Sequence, residues 1–360
     1  MRFNTEKPYN KLPEILPNEK YWHLLSIYEQ ANKANRALAE LKGRLSAIPN
    51  PKIFINTLSL QEARNSSSIE NIFTTNDKLF RAFTADSKAD PHTKEVLRYG
   101  KALTDAFDII KQNRKFSIKL IEKIYRNIKD KEDGIRDSLV YIGNGHKKTY
   151  TPPCCRNIIV KKLNNWISVA NSKSDKIDPL IKMAILHYQF EAIHPFEDGN
   201  GRAGRVVNVL LLFAYGLLDD PVLYLSKYIN EHKSEYYRLL LEVTKSENWE
   251  KWLLYMLRAV EETSKYTLKK VLNIMELFEE TKEKMQKDAH EIYRFELLEI
   301  LFSQVYCKYS ILIESGIVSS RNTASKYLNK LEEIGILERE KIGKEFVFKN
   351  IALYELLKDG

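Results

Sequence analysis

Apolar residues recur at three- and four-residue spacing through most of the chain, and the spacing drops to two in one short stretch. "LLSIYEQANKANRALAELKGRL" predicts a helix from Tyr21 to about Ala47. The Pro-rich first 20 residues read as extended chain over the surface. A second helix is predicted from Phe54 to about Phe73, and a third from Thr93 to Gln112. Ser117 is placed to cap the stripe "SIKLIEKIYRNI". From Gly134 to Pro153 apolar and polar residues alternate, with a turn at Gly143-Asn144-Gly145, which predicts a β-hairpin. Helical spacing resumes in "NIIVKKLNNWISVAN" and in "DPLIKMAILHYQFEAI", where Asp178 serves as N-cap and Pro179 opens the helix. "RAGRVVNVLLLFAYGLL" follows, then helices over roughly Lys233 to Val243 and Trp249 to Lys287. The last 70 residues read as three helices and a charged hairpin, the order of a winged helix-turn-helix. The expected fold is mainly α, a helical core with a small hairpin, divided into regions 1–112, 113–288 and 289–360.

Length and composition add bounds. At 360 residues the chain suits two or three domains, and 44% hydrophobic residues supply a core. The net charge of +9 permits an anionic ligand without arguing for one. Cys154, Cys155 and Cys307 make no disulfide framework, which points to a reducing cytoplasm. No signal-peptide pattern opens the chain, and the longest apolar run, Val206 to Leu218, is too short to cross a bilayer.

The chemistry concentrates in "EAIHPFEDGNGRAGR", Glu191 to Arg205, between two core helices. Gly199-Asn200-Gly201 sits where a loop enters a helix, so unpaired amides and the helix dipole form an anion cradle. Arg202 and Arg205 lie three apart in the first turns of that helix and offer planar forks to phosphate oxygens. One cradle and two arginines suggest a di- or triphosphate. Asp198 beside bound phosphates suits a Mg²⁺ site. His194, fixed by Pro195, can take a proton at neutral pH. Phe196 is expected to anchor the loop in the core, and His187 to be a core residue. Taken singly, each feature has an ordinary structural use as a cap, a turn or a surface ion pair.

The run His194-Pro195-Phe196-Glu197-Asp198-Gly199-Asn200-Gly201-Arg202-Ala203-Gly204-Arg205 resembles the Fic family motif HPFx(D/E)GNGRxxR at every fixed position. "GIRDSLVYIG", "TYTPP", "HYQFEAIHPF" and "WEKWLLYML" extend the resemblance over about residues 1 to 280. It implies transfer of AMP from ATP to a protein Ser, Thr or Tyr hydroxyl, with His194 as general base and Asp198 holding Mg²⁺ or Mn²⁺. It further implies that Gly199, Asn200, Gly201 and Arg202, with Ala203 and Gly204 in the same run, bind nucleotide, and that Arg205 clamps the γ-phosphate. The hairpin, within residues 143–152, would be a flap that captures the target protein as an added strand. Tyr236 is a candidate for the nucleoside side; Tyr237 beside it has a weaker claim.

"SSSIEN" fits the family's inhibitory signature (S/T)xxxE(G/N), with Ser66 and Glu70 one helical turn apart. The resemblance implies that Glu70 pairs with Arg205 and blocks the γ-phosphate site within the same chain. The C-terminal region carries ten Lys/Arg and eleven Asp/Glu over residues 291–360, a net charge of −1 that disfavours DNA binding. Protein docking or dimerisation is the expected role of residues 289–360, and self-modification is a further expected outcome. Two alternatives stay open on sequence: a different transfer, or removal of AMP, on the same fold, and a nucleotide-sensing DNA-binding regulator.

Overall fold

The computed structural model describes residues 3–46, 48, 50, 52–84, 89–144, 147–173, 176–342 and 345–358. After an N-terminal strap and one 3-10 turn, the chain forms α1 (Leu25–Ser46), α2 (Lys52–Ile69), α3 (Asn76–Thr84), α4 (Pro91–Asn113) and α5 (Ile118–Lys129). A two-stranded antiparallel hairpin, β1 (Ile142–Asn144) and β2 (Lys147–Tyr150), comes next. Then follow α6 (Arg156–Asn171), α7 (Pro179–Ile193), α8 (Asn200–Ala214), α9 (Leu225–Glu231), α10 (Lys233–Ser246) and the 40-residue α11 (Trp249–Asp288). The C-terminal part comprises α12 (Phe295–Ser303), β3 (Tyr306–Cys307), α13 (Tyr309–Glu314), α14 (Arg321–Glu333), β4 (Leu337–Ile342), β5 (Glu345–Asn350) and α15 (Ile351–Leu357). Its three strands lie in the order β3-β5-β4.

The core is built around α7. This helix is apolar on nearly all sides, so it can be stable only when enclosed. The Trp166 indole of α6 donates to the Leu186 carbonyl (2.8 Å), and Trp252 of α11 donates to that of Ala184 (2.9 Å). α8 packs on α7, and α4 and α5 pack on α8. α1 lies along α11. The N-terminal strap is tied down by Lys162, which donates to the Leu12 carbonyl (2.5 Å), and by Gln189, which donates to that of Pro13 (2.8 Å).

Several expectations shift. The alternation from Gly134 predicts a longer hairpin than forms: strand pairing starts only at Ile142. Residues 135–138 are instead held by side-chain bonds: Arg136 donates to the carbonyls of His194 and Ser138, Arg156 to that of Ile135, and Asp137 accepts from the Arg156 amide. Gly145 of the expected turn lies outside the described residues. The second helix ends at Ile69 rather than Phe73, because Asn71 adopts a left-handed backbone (φ 61°). The short helices α3, α9 and α15 are additions, each about two to two and a half turns long and stabilised mainly by what it packs against.

The C-terminal part rests on α2 and α3. Gln61 of α2 donates to the Leu357 carbonyl (2.5 Å), and Asn76 to those of Leu357 (3.1 Å) and Lys358 (2.8 Å). Thr84 donates to the Tyr306 carbonyl (3.0 Å), and the Tyr306 hydroxyl to Asp77 (2.6 Å).

Asp178 caps α7 as the sequence predicts: it accepts from the amides of Leu180 (2.8 Å) and Ile181 (3.3 Å), and also from Asn35 of α1 (2.8 Å). Asp178→Ala should therefore lower stability by about 1–2 kcal/mol in urea unfolding with an unchanged m-value. A loss below about 0.3 kcal/mol would show that the cap is dispensable.

Candidate active site

The loop between α7 and α8 is fixed from several sides. His194 ends α7 in a left-handed conformation (φ 51°) with its amide bonded to the Phe190 carbonyl. Phe196 is buried and stacks on Tyr125 of α5 (4.1 Å between centroids, 6° between planes). Asn200 clamps the turn: its side chain accepts from the Phe196 amide and donates to the Phe196 carbonyl, both at 2.8 Å. Gly199 caps α8 at φ 78°, where other residues are strained. Arg136, buried between the pre-flap segment and this loop, donates to the carbonyls of His194 (2.8 Å), Ser138 (2.6 Å) and Pro153 (2.7 Å).

A cavity of about 670 Å³ opens beside this loop. It is lined by His194, Gly201, Arg205 and Glu70 together with Tyr188, Tyr236, Tyr237 and Leu240. Tyr236 is buried and shares a hydrogen bond (2.8 Å) with His187, which is a core residue as expected. The hairpin residues Ile142, Gly143, Thr149 and Tyr150 also line the cavity.

Arg205 is enclosed. Its Nε donates to Ser66 Oγ (2.8 Å), and its Nη2 donates to the Ser66 carbonyl (2.9 Å) and to Glu70 Oε1 (2.9 Å). Burial works against the charge, but Glu70 and the surrounding groups raise the Arg205 pKa above its ordinary value. A methyl group on Gly201 would overlap Glu70 Oε1 and come within 2.9 Å of Arg205 Nη1, so glycine there lets the carboxylate reach the guanidinium. Behind Ser66, Glu62 accepts from the Ser226 amide (3.0 Å), the Ser226 hydroxyl and Tyr99 (3.3 Å), which anchors α2. Burial pushes the Glu62 carboxyl up to about 7.

Arg202 lies on the other side of the α8 N-terminus and pairs with Glu95 of α4. Asp198 is exposed and bonds Lys129 of α5 (2.6 Å). One exposed carboxylate beside an anion cradle fits a hard divalent ion that takes its remaining ligands from phosphate and water. Among the described residues no group of three or more His, Cys, Asp or Glu could hold a metal by itself.

Of the residues singled out in sequence, His194, Gly201, Arg205, Tyr236 and Glu70 line one cavity, with Ser66 directly behind. Arg202 and Asp198 stand beside that cavity rather than in its lining, paired with Glu95 and Lys129. Sequence reading assigned no role to Glu62, Glu95, Lys129 and Arg136. Two of them stood next to a signal: Arg136 inside the quoted run GIRDSLVYIG, and Glu62 one turn before Ser66 on the same helical face.

Three family models match. The model described as Fic/DOC family covers residues 105–212, and the one described as Fic/DOC family N-terminal covers residues 28–108. The model for a protein adenylyltransferase SoFic-like, C-terminal domain, covers residues 277–353. The chain belongs to the Fic/DOC family. It is similar to a probable protein adenylyltransferase of Aquifex aeolicus (strain VF5), 29% identical over 185 residues, which are 49% of this chain and 55% of that one. It is also similar to the protein adenylyltransferase Fic of Drosophila grimshawi, 25% identical over 273 residues, which are 67% of this chain and 54% of that one. The chain spans about half the length of these relatives. In fold it matches a Fic family protein from Desulfovibrio desulfuricans G20 (TM-score 0.56, 19% identity, 94% of this chain and 98% of that one). It also matches Fic-1 from C. elegans (TM-score 0.54, 20% identity, 70% and 74%). Among the described residues no helix is long and apolar enough to cross a membrane.

Burial, then the charge of Arg136, pushes the His194 imidazole down to about 4. The neutral form of His194 should therefore persist throughout the range from pH 8 to 5. Imidazole NMR should show His194 protonated by no more than about a tenth at pH 5, and a midpoint near 6.5 would contradict the burial argument.

Proposed function

We propose that this protein is an autoinhibited protein adenylyltransferase. In the proposed reaction a Ser, Thr or Tyr hydroxyl of a target, or of the protein itself, attacks the α-phosphorus of ATP. His194 takes the hydroxyl proton, the bond from the α-phosphorus to the bridging oxygen breaks, and pyrophosphate leaves. Gly199, Asn200, Gly201 and Arg202 cradle the α- and β-phosphates, with Ala203 and Gly204 continuing the helix behind them. Arg205 receives the γ-phosphate, and Tyr236 bounds the nucleoside end. Asp198 would hold Mg²⁺ or Mn²⁺, which supplies charge neutralisation on the phosphates when bound. The target chain docks along the flap at residues 143–152.

The observation that carries this reading is one cavity lined jointly by His194, Gly201 of α8, Arg205 and the tyrosines Tyr188, Tyr236 and Tyr237. The relatives named as adenylyltransferases support it at the level of the family. Autoinhibition is supported by Glu70 standing at the guanidinium fork where phosphate oxygens would bind. In this reading residues 1–112 carry the brake, 113–288 carry the chemistry, and 289–360, as a winged helix, dock a protein or a second copy rather than DNA. A cytoplasmic setting belongs to the same proposal.

The test is self-modification with labelled ATP. Glu70→Gly removes a charge-assisted contact of roughly 1.5–3 kcal/mol, so transfer should rise by about ten- to a hundredfold. Glu70→Gly with His194→Ala should show no transfer while nucleotide still binds. Glu70→Gly with Arg205→Ala should be slow again, because ATP is no longer oriented. No gain in a folded Glu70→Gly protein would remove the brake, and transfer by the His194→Ala variant would place the base elsewhere.

Transfer by the Glu70→Gly protein should also stop in excess EDTA and return on adding Mg²⁺. Full activity in EDTA would take Asp198 out of a metal role.

A further inference from the structure

Four side chains at the N-terminus of α8 form a ring of alternating charge. Glu95 of α4 pairs with Arg202, and Lys129 of α5 pairs with Asp198 at 2.6 Å. The ring closes through Lys129 and Glu95 at 3.6 Å and through Arg202 and Asp198 at 3.8 Å. Arg202 is buried and Lys129 nearly so, whereas Asp198 is exposed. Lys129 lies over the cradle itself: its Cδ would stand 3.2 Å from a Cβ on Gly199. Desolvation would raise both carboxyls, yet Arg202 and Lys129 hold Glu95 below its ordinary range, and Lys129 does the same for Asp198.

This arrangement sets a constraint on the ligand. A phosphate that takes Arg202 must displace Glu95. A divalent ion that takes Asp198 must displace Lys129. Either displacement alone leaves one charge without its closest partner in a partly buried place, which is costly. The two together do not, because the displaced ammonium and carboxylate are already neighbours. Lys129 needs to move by about 1 Å to make a direct pair with Glu95, judged against an ion-pair distance of about 2.8 Å.

We propose that Glu95 and Lys129 are positioning residues that make phosphate binding and metal binding one coupled exchange. The pairs Arg202–Glu95 and Asp198–Lys129 become Arg202–phosphate, Asp198–metal and Lys129–Glu95. Net charge is conserved among the protein groups, and no proton moves. The ring therefore selects a metal–nucleotide complex over free nucleotide or free metal. This inference rests on the nucleotide reading of the site, and it concerns a contact separate from the Glu70 brake.

The exchange predicts opposite effects from neutralising the two residues. Glu95→Gln releases Arg202, so affinity for ADP in EDTA should rise by about tenfold, one charge-assisted hydrogen bond set free. Lys129→Met leaves Arg202 shared between two carboxylates, so affinity for ADP in EDTA should fall, by about threefold or more. Lys129→Arg keeps the charge and should stay near wild type. The double variant Glu95→Gln with Lys129→Met should gain less from added Mg²⁺ than wild type does, since only the direct attraction of metal to phosphate remains. The measurement is calorimetric titration of the full chain with ADP, in EDTA and in Mg²⁺, with thermal melting to confirm folding. ADP is chosen because it makes no demand on Arg205.

A merely structural ring would weaken binding in both single variants. Equal signs for Glu95→Gln and Lys129→Met, or no change in either, would overturn the exchange and leave the transferase reading standing. Failure of every protein, the Glu70→Gly variant in Mg²⁺ included, to bind ADP would overturn the nucleotide reading and this inference with it.

Discussion

A guanidinium enclosed by helices must find acceptors inside the protein, and Arg205 organises its surroundings around that need. α2 has to approach α8 closely enough for Ser66 and Glu70 to reach it. Gly201 has to stay without a side chain. Glu62, a turn back along α2, has to be satisfied in turn by Ser226 and Tyr99. Ser66 supplies two of the three acceptors, one from its hydroxyl and one from its carbonyl. Glu70 can therefore give way to another anion without leaving Arg205 unpaired. A fold in which Glu70 were the sole partner would make the same exchange far more costly.

Much of this was legible in the sequence, for identifiable reasons. Helix spacing and caps act locally, so the Ser117 and Asp178 caps sit where local chemistry puts them. The turn into α8 is also local, a few consecutive residues held by Gly199 at φ 78° and by the Asn200 clamp. The Ser66–Glu70 approach to Arg205 was expected only through the family's signature, since no spacing rule connects positions 135 residues apart. Glu95 and Lys129 were invisible for that same physical reason. Each sits on an amphipathic helix as an ordinary charged residue, and only the packing of α4 and α5 against α8 gives them partners. Arg136 lay within a segment that alternates like a strand. Its carbonyl acceptors, His194, Ser138, Pro153 and Ile193, override that local pattern.

The docking of the C-terminal part on α2 has a consequence in time. Gln61 reaches the carbonyl of Leu357, 296 positions later. At the usual pace of synthesis, about 5–20 residues per second, roughly 15 to 60 s separate the two ends of that hydrogen bond on the ribosome. The loop between α7 and α8, with His194 and Gly199, is complete well before then. In order of birth, the loop that carries His194 precedes one of the anchors that steady the helix carrying Ser66.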